Sequence, residues 1–532
     1  MKGIALYGMG EIQAARAAFA AALVSNPKSA ASWLNLGDLF LFTFEVGGAV
    51  WAFEQALMVH NVTTDVSKLY KARSWICDWR DREAMHDAIL ASIAESVAAG
   101  VDAKVTAADF LDMPPQAVAG MSRSLASGFV PSAAEMGGLR RPGGLRALAA
   151  ARHPPVLTVG FISSDFGVHP VVTLVRGLLA SLDPARFRVA CYALYDETSW
   201  WRSNVSATVP VFRNLMGYSH ADVAQAILDD GVHVLIDLNG HTIRSGLPVL
   251  AYRPAPVQVS FLGYSLTTAL PTMDFFVGDR VATPPTDQAQ FTEGLVYMPD
   301  SFFVNDYAVL QSHVLHLPRP RRRALLLAAN ATADRRAAGA PLVREDAFVF
   351  ATFSNYQKVN PAVFDTWCNV LRRVPHSVLW FLRHHVYAEA KAQIIVNLRA
   401  RGVPPHRLLF TAKAPWIDHV RRKAAADLVL DTTLKNGHTS SADALWAGVP
   451  VITLRGHIEQ NRVAASLLAA AGDGANTTEV VSFRDYEDLA VRLATSPPLL
   501  AALRSRVETN RLTSPLFNQT RYRAGFEGRL LA

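Results

Sequence analysis

The chain has 532 residues and a formal net charge of +7; 50% of its residues are hydrophobic and 18% are charged. This composition is typical of a well-packed globular protein and excludes an intrinsically disordered chain. Because the length exceeds what one hydrophobic core usually holds, we expect two to four domains.

The positive charge is modest for this length, and part of it lies in one Pro- and Ala-rich segment. That segment contains six arginines: Arg319, Arg321, Arg322, Arg323, Arg335 and Arg336. Neither a basic stripe interleaved with aromatic residues nor a zinc-ligand spacing accompanies them. A solvated linker therefore explains the charge better than a nucleic-acid surface does, and no nucleic-acid partner is expected.

Three cysteines, Cys77, Cys191 and Cys368, lie far apart in the sequence. This spacing fits neither a disulfide framework nor a metal cluster, which favours a reducing compartment. Glu11 and Arg16 interrupt the apolar N-terminal sequence, and no apolar run approaches the length of a membrane span. We therefore expect a cytoplasmic protein, or in a eukaryote also a nuclear one, without a membrane partner.

The N-terminal sequence contains a repeat of 34 residues, the period of tetratricopeptide repeats. Residues Glu11 to Pro27 match residues Glu45 to Asn61 at this offset, and the segment Trp33 to Phe40 fits the first helix of such a repeat. Two unrelated amphipathic helices are the alternative. Since a few repeats make a poor core alone, the chain is either truncated at its start or leans these helices on later parts of the chain. The repeats are candidate binding surfaces for protein partners.

Short apolar runs alternate with helical patterns from Val156 onwards. The first series is Val156–Ile162, Val189–Leu194, Val232–Leu238, Val257–Leu262 and Phe275–Val277. The second series is Phe348–Phe353, Val378–Leu382, Leu408–Phe410, Leu428–Leu430 and Val451–Leu454. Strands buried on both faces that alternate with helices predict two parallel, doubly wound sheets. Ligands should bind in the cleft between the carboxyl ends of the two sets of strands.

These patterns divide the chain into five regions. They are tetratricopeptide-like helices in residues 1–75, a helical connector in 76–152, a first Rossmann-like domain in 153–306, an Arg/Ala/Pro-rich linker in 307–345 and a second Rossmann-like domain in 346–532.

The stretch from Asp431 to Pro450 is the most informative candidate site. A polar loop leaves a buried strand here, and Thr439 or Ser440 stands at the expected N-cap of a short helix. The free N–H groups and positive end of such a helix attract phosphate, and the backbone of Gly437 permits a close approach. Asp443, one turn later, could accept hydrogen bonds from a ribose. An ordinary capping box formed by Ser440 and Asp443 is the alternative.

Two further strand-to-helix junctions carry cations. Asn360 and Pro361 predict an N-cap and a first helical position, so Lys358 stands beside a positive helix end and could neutralise a diphosphate. His419 and Arg422 share a helix face near its start, where a cation opposes the helix dipole and so suggests an anionic partner. The alternatives are a solvated lysine and a helix on the surface.

His169 follows the first strand of the first sheet and stands at the N-cap of the helix that Pro170 opens. Facing the cleft, it can hydrogen-bond or exchange protons with a substrate, although capping alone also explains its position. The sequence contains no Asp-x-Asp pair, Gly-x-Gly-x-x-Gly turn or Walker loop. Charge neutralisation must therefore come from Lys358, Arg422 and the helix ends.

Taken together, these segments resemble the O-linked N-acetylglucosamine transferases, which are inverting glycosyltransferases of the GT-B fold that carry tetratricopeptide repeats. The resemblance covers nearly the whole chain. It is carried by Ser163–Pro170, Arg253–Gln258, Leu262–Tyr264, Tyr297–Phe303, Val374–Trp380, His419–Arg422, Asn436–Thr439, Leu445–Gly448, Arg462–Ser466 and Ser514–Asn518. The implied fold is α/β GT-B, with two doubly wound Rossmann-like domains facing a cleft, preceded by an all-α tetratricopeptide-like region.

The resemblance also implies a role for each candidate residue. The residues implied for the nucleotide are His419 and Arg422 at the uridine and ribose phosphate, His438, Thr439 and Ser440 at the uracil and pyrophosphate, and Asp443 at the ribose hydroxyls. The residues implied for the sugar pocket are His169, Leu262 and Gly263. Lys358 is implied to contact the leaving diphosphate, with Asn355 at the donor-binding position where the family usually has Gln.

Other positions depart from the family pattern. Ser265–Ala269 stands where the family tends to have Pro-Gly-Thr-Ser-Gly, which leaves the shape of the sugar loop open. Trp416 replaces a common Lys of the nucleotide loop. Residues 87–152 contain no histidine to match a pocket histidine of the animal enzymes.

We accordingly predict transfer of N-acetylglucosamine from its UDP donor to Ser or Thr hydroxyls of proteins, with inversion and without a metal ion or another cofactor. Lys358 and the helix end at Thr439 would stabilise the charge that grows on UDP. Candidate proton acceptors are His169, Asp165, a phosphate oxygen of the substrate and a water chain.

Two alternatives stay open at this point. A Spindly-like protein O-fucosyltransferase would use GDP-fucose on the same fold, and Gly240–Thr242 resembles that branch, whereas Asn436–Thr439 resembles the N-acetylglucosamine branch. A non-catalytic scaffold would bind partners through its repeats, but the presence of both Lys358 and Asp443 argues against it.

Overall fold

The structure is a computed structural model that describes residues 2–8, 11–60, 63–99, 114–137, 139, 155–316, 346–472 and 478–532. The six arginines of the predicted linker and part of the predicted connector lie outside these ranges. Within them, no helix is long and apolar enough to cross a lipid bilayer.

The described residues before Pro155 form helices and the turns between them. The helices are α1 (Lys2–Gly8), α2 (Ile12–Ser25), α3 (Ala30–Phe42), α4 (Val46–Val59), α5 (Thr63–Trp75), α6 (Arg82–Ala99), α7 (Pro115–Ser127) and α8 (Ala133–Gly137). Gly37 on α3 lies so close to the Phe53 ring of α4 that an added Cβ would be 2.3 Å from it. Gly3 and Phe19, which stand 34 positions before Gly37 and Phe53, make the same close contact. This packing agrees with the repeat interpretation.

The repeat helices lean on the second sheet domain, far along the chain. Their buried side chains form one hydrophobic cluster with those of that domain. Asn397 Nδ2 donates to the Cys77 carbonyl at 2.9 Å, and the rings of Phe44 and His385 stack with centroids 4.6 Å apart. These helices thus rest on later residues, which is one of the two alternatives expected from the sequence.

Within the described residues, the first sheet has seven parallel strands in the order β3-β2-β1-β4-β5-β6-β7. Its strands are β1 (Leu157–Ser163), β2 (Phe187–Ala193), β3 (Val211–Asn214), β4 (Val234–Asp237), β5 (Val257–Ser260), β6 (Phe275–Gly278) and β7 (Gly294–Tyr297). The accompanying helices are α9 (Pro170–Ser181), α10 (Trp200–Thr208), α11 (His220–Asp229), α12 (Leu247–Leu250) and α13 (Tyr307–Leu310).

In the part of the chain that the structure describes, the second sheet has six strands in the order β10-β9-β8-β11-β12-β13, and these also run parallel. Its strands are β8 (Phe348–Thr352), β9 (Ser377–Leu382), β10 (Leu408–Thr411), β11 (Leu428–Leu430), β12 (Val451–Leu454) and β13 (Glu479–Val480). Its helices are α14 (Pro361–Arg373), α15 (Tyr387–Ala400), α16 (Trp416–Lys423), α17 (Thr439–Trp446), α18 (Val463–Ala470), α19 (Phe483–Thr495), α20 (Pro497–Asn510) and α21 (Gln519–Leu531).

Every apolar run predicted as a strand is a strand, and the two predicted doubly wound sheets are confirmed. The sequence did not reveal β3, β7 and β13. All three are edge strands, and β3 and β7 have no fully buried residue, so they lack the continuous apolar pattern that marks a central strand.

The last helix, α21, returns to the first sheet domain. Its Tyr522 hydroxyl donates to the Phe302 carbonyl at 2.7 Å, and the Asp183 main-chain N–H donates to Glu527 Oε1 at 3.0 Å. Ser301 and Ser466 share a hydrogen bond of 2.8 Å nearby. These contacts hold the two sheet domains around one cleft.

Candidate active site

A cleft lies between the two sheet domains and encloses about 260 Å³. Side chains from both domains wall it, and the predicted site residues among them are His169, His419, Thr439 and Asp443. The other predicted residues do not line this cavity: Asp165, Leu262, Gly263, Asn355, Lys358, Arg422, His438 and Ser440.

His169 caps α9 as predicted. Its Nδ1 accepts a hydrogen bond of 3.3 Å from the Val171 main-chain N–H, and Pro170 occupies the first helical position. Asp165 Oδ2 lies 3.5 Å from the same Nδ1. While Nδ1 accepts the bond from Val171, the proton of a neutral ring lies on Nε2. His169 therefore presents a hydrogen-bond donor beyond its capping role.

Asp165 is held by neighbours that the sequence did not single out. Asn239, which follows β4, donates from Nδ2 to Asp165 Oδ2 at 2.8 Å, and Ser164 Oγ donates to Oδ1 at 3.1 Å. Asp237 fixes that turn by accepting the Gly240 N–H at 2.6 Å. The one available signal was position, because β1 and β4 are neighbours and their polar ends meet at one edge.

Leu262 and Gly263 follow β5 and form a constrained turn. Leu262 has a positive φ of 66°, which is uncommon for a residue with a side chain. A Cβ on Gly263 would lie 1.8 Å from the Leu238 carbonyl oxygen, so only glycine fits there. The backbone of the predicted sugar loop is thus pressed against the end of β4.

The unusual loop Ser265–Ala269 is buried and ordered. Glu293, only 1% exposed, accepts hydrogen bonds from the Thr268 main-chain N–H at 2.7 Å and from the hydroxyls of Thr267 and Thr268. Hydrogen bonds from the two threonine side chains therefore hold this loop to Glu293. The sequence did not reveal Glu293 because nothing nearby marks it as buried.

Lys358 is not the solvated lysine of the alternative interpretation. It ends a short 3-10 helix, Tyr356–Lys358, and its Nζ donates to the Asn436 carbonyl at 2.9 Å. Burial and the nearby Lys435 lower the pKa of Lys358, and Asp431 opposes that shift. A bound diphosphate would favour the charged ammonium, because an adjacent anion stabilises it.

Asn355 contributes to this turn through its backbone. Its carbonyl accepts the Lys358 N–H at 3.0 Å, while the Asn355 side chain is exposed. It borders a smaller hollow beside Phe44 and Tyr356, at the contact with the repeat helices. The predicted N-cap at Asn360 is confirmed, since its Oδ1 accepts the Val363 N–H at 3.0 Å.

The turn between β11 and α17 is built around Asp431 and Gly437. Asp431 Oδ1 accepts the Gly437 N–H at 2.6 Å, and Thr453 Oγ1 donates to Oδ2 at 2.8 Å. A Cβ on Gly437 would lie 2.5 Å from Ser441 Oγ. The loop therefore needs glycine for close packing.

The predicted N-cap of this helix was wrong by one or two residues. The helix begins at Thr439, so its N-cap is His438, which makes no side-chain capping bond. The hydrogen bond from the Gly437 N–H to Asp431 fixes the loop, so the helix begins earlier than expected. The capping box formed by Ser440 and Asp443 is also not observed, because the Asp443 carboxylate bonds elsewhere. The first N–H groups of α17 have no partner within the helix.

Asp443 binds two side chains that the sequence did not reveal. Lys423 Nζ donates to its Oδ2, and the Tyr307 hydroxyl donates to its Oδ1. His419 Nε2 lies 3.7 Å from Oδ2. Lys423 lies close to this imidazole and, together with burial, lowers the pKa of His419 to about 4. His419 is thus neutral at physiological pH.

The prediction that Arg422 opposes the helix dipole was wrong. Helix α16 has only eight residues, so Arg422 lies in its last turn, where a cation is favourable. Its guanidinium lies 5.7 Å from the centroid of the Trp380 ring. Its Nε and Nη2 have no hydrogen-bond partner among the residues that the structure describes. The surface-helix alternative fails for Arg422, which is partly buried.

His438 presents a neutral ring next to Lys358. Burial, with Lys358 and Lys435 nearby, holds the pKa of His438 well below its ordinary value. Its Nε2 has no hydrogen-bond partner within the described part of the chain. A polar atom buried in this way is costly unless a ligand completes its bonding.

The described ranges hold no group of three or more His, Cys, Asp or Glu side chains arranged to bind a metal ion. Transfer without a metal therefore stays a prediction.

Two doubly wound parallel sheets that face one cleft, with polar turns from both at its edge, make up a GT-B fold. Glycosyl transferase family 41 matches residues 148–323 and 328–526. The chain belongs to this family.

Its sequence relatives are much longer proteins. The chain is 37% identical over 367 residues to the probable UDP-N-acetylglucosamine–peptide N-acetylglucosaminyltransferase SEC of Arabidopsis thaliana, covering 69% of this chain and 36% of that one. It is 29% identical to the UDP-N-acetylglucosamine–peptide N-acetylglucosaminyltransferase of Caenorhabditis elegans, covering 69% and 40%. A probable enzyme of the same description, SPINDLY of Petunia hybrida, is 29% identical, covering 70% and 38%. The chain spans less than half the length of these relatives.

A solved structure shows the same fold over the whole chain. A mutant of the Thermobaculum terrenum O-GlcNAc transferase superposes with a TM-score of 0.73 and 22% identity, covering 100% of this chain and 96% of that one. The N-terminal helices are part of this similarity.

Proposed function

We propose that this protein transfers N-acetylglucosamine from UDP-N-acetylglucosamine to Ser or Thr hydroxyls of proteins, with inversion at the anomeric carbon. The observation that carries the proposal is the bond from Lys358 to the Asn436 carbonyl, which holds a cation against the turn that opens α17. The names of the Arabidopsis and Caenorhabditis relatives support the donor and the acceptor. The repeat helices would help to bind protein acceptors.

Departure of UDP is the step that needs positive charge. Lys358 and the free N–H groups at Thr439 and Ser440 supply it without a metal ion, because both lie where the diphosphate would be bound. The other ring nitrogen of His438 donates to the Gln460 carbonyl, so its unpartnered Nε2 would accept a hydrogen bond from an N–H or O–H group of the donor substrate. Arg422 completes the cationic side of the site near the uridine.

The nucleoside half of the donor would lie in the cleft. Asp443 accepts bonds from the ribose hydroxyls, and the neutral imidazole of His419 lies beside it. Asn355 borders a different hollow, so it would affect the donor through its main-chain bond to Lys358. The donor is thereby fixed before the acceptor hydroxyl arrives, which lowers the entropy cost of the reaction.

The sugar half would lie against the first sheet. The constrained backbone at Leu262 and Gly263 shapes this side, and His169 Nε2–H donates to a sugar hydroxyl. That tautomer makes His169 a poor proton acceptor, so Asp165 is the better protein candidate, with a phosphate oxygen of the donor or a water chain as the alternatives. Asp165 is already bound by Asn239 and Ser164.

Donor choice is the sharpest test. The purified protein is incubated with a peptide pool and either UDP-N-acetylglucosamine or GDP-fucose, and the peptides are weighed by mass spectrometry. The proposal predicts N-acetylhexosamine on Ser and Thr with the UDP donor alone. Deoxyhexose addition from GDP-fucose would instead establish the fucosyltransferase, and no addition from either donor would favour a scaffold.

A further inference from the structure

The carboxylate of Asp443 accepts hydrogen bonds from two residues that lie on separate helices. Lys423, at the end of α16, donates to Oδ2, and Tyr307, at the start of α13, donates to Oδ1. Lys423 is only 2% exposed and Asp443 only 5%. The Lys423 and Asp443 side chains therefore contact each other rather than solvent.

The surroundings make the arrangement rigid. The Lys423 ammonium lies 5.0 Å from the centroid of the Phe353 ring. The Tyr307 ring lies 5.9 Å from that of Trp446 and 5.7 Å from that of Phe517. A buried lysine is costly unless it is paired, so the buried Lys423 depends on its contact with Asp443.

These two bonds leave other acceptor sites of the carboxylate available to a ligand. A carboxylate has about four sites for accepting hydrogen bonds, and Lys423 and Tyr307 occupy one on each oxygen. Asp443 and Tyr307 both line the cleft, together with His419 and Thr439, whereas Lys423 does not. A ligand in the cleft can thus reach Asp443 without displacing Lys423.

We propose that Lys423 is a positioning residue for the donor's ribose: with Tyr307 it holds the Asp443 carboxylate oriented so that both oxygens accept bonds from the vicinal 2′ and 3′ hydroxyls. Lys423 itself does not touch the donor. This inference rests on the proposed function, and it assigns selectivity for ribonucleotides over deoxyribonucleotides to two residues that act through Asp443, one of which, Tyr307, also lines the cleft.

The test compares two ligands that differ only in the ribose hydroxyls, UDP and 2′,3′-dideoxyuridine diphosphate. Dissociation constants are measured by calorimetry for the wild type, Lys423→Met and Tyr307→Phe. Lys423→Met should weaken UDP binding about tenfold, the scale of one charge-assisted hydrogen bond, and leave the dideoxy ligand within about twofold. Tyr307→Phe keeps the ring and should shift UDP binding in the same direction, so it carries the test if Lys423→Met does not fold.

Arg504→Met is the matched control. Arg504 is also a buried cation, but it donates to the carbonyls of Ala426 and Asp427, at the other end of β11. It should lower stability without changing the ratio of the two dissociation constants. A second control places Lys423→Met in an Asp443→Asn background, where the lysine substitution should no longer affect UDP binding.

Equal weakening of both ligands by Lys423→Met would overturn the inference, because it would mean a direct phosphate contact or general damage. Unchanged UDP binding would overturn it as well. In either case UDP still binds the wild type, so the proposed function stands. A wild type that binds no UDP at millimolar concentration would overturn both.

Discussion

Lys358 donates a hydrogen bond from Nζ to the main-chain carbonyl of Asn436, 2.9 Å away. The bond joins the turn after β8 to the turn after β11, so the position of the cation depends on both turns. Gly437 follows directly, and its N–H is tied to Asp431. The candidate diphosphate site is therefore one unit of backbone, which holds Lys358 beside the start of α17.

Gly437→Ala should disrupt this unit. The new Cβ would lie 2.5 Å from Ser441 Oγ and 2.6 Å from Ser440 Oγ, so either these hydroxyls or the turn must move. We expect UDP binding to weaken about tenfold or more, and stability to fall by about 1–3 kcal/mol, as measured by calorimetry and thermal unfolding. Gly528→Ala is the control, because Gly528 lies within α21 and nothing stands within 4 Å of its added Cβ. Normal UDP binding by Gly437→Ala would contradict the close-packed turn.

Gly37→Ala should destabilise the repeat helices. Its Cβ would meet the Phe53 ring at 2.3 Å, and overpacking of this kind costs about 1–3 kcal/mol. Gly47→Ala, on the neighbouring helix, meets only Glu389 Cγ at 3.9 Å and should be neutral or slightly stabilising. The measurement is the midpoint of thermal unfolding. Equal midpoints for the two variants would argue against the repeat packing.

Glu459→Gln should stabilise the protein at high pH. Burial raises the pKa of Glu459 to about 8 from its ordinary 4.5, although the Ser265 hydroxyl and Lys435 oppose the shift. The folded state therefore keeps a proton that the unfolded chain releases above pH 4.5, so wild-type stability falls as pH rises from about 4.5 to 8.

Glutamine does not titrate, so its advantage over glutamate should grow across that pH range, reaching about 1–3 kcal/mol near pH 8. Denaturant unfolding of both proteins at about pH 5 and about pH 8 measures it. A difference that is the same at both pH values would show that Glu459 is ionised in the fold.

The sequence predicted the elements that repeat a simple pattern. The buried central strands show continuous apolar runs, and Asn360-Pro361 and His169-Pro170 mark helix starts by their own backbone preferences. These signals are local, so they can be recognised in the sequence without knowledge of the tertiary structure.

The missed residues depend on long-range placement. In the sequence, Lys423 is one of several cations at the end of a helix. The structure shows that it is buried against Asp443, 20 residues later. Tyr307 lies in a four-residue helix with no periodicity, and Glu293 meets Thr268 from 25 residues away. The error at the start of α17 has the same origin, since the tether from Asp431 to Gly437 sets where that helix begins.

The most direct test of the central claim is the rate at which Lys358→Met transfers N-acetylglucosamine to an acceptor peptide at saturating UDP-N-acetylglucosamine. Lys28→Met, at an exposed lysine of the repeat region, is the control and should keep the wild-type rate. Because Lys358 would stabilise charge on the departing UDP, its loss should lower the rate on the order of a hundredfold or more. Transfer by Lys358→Met at the wild-type rate would contradict this role.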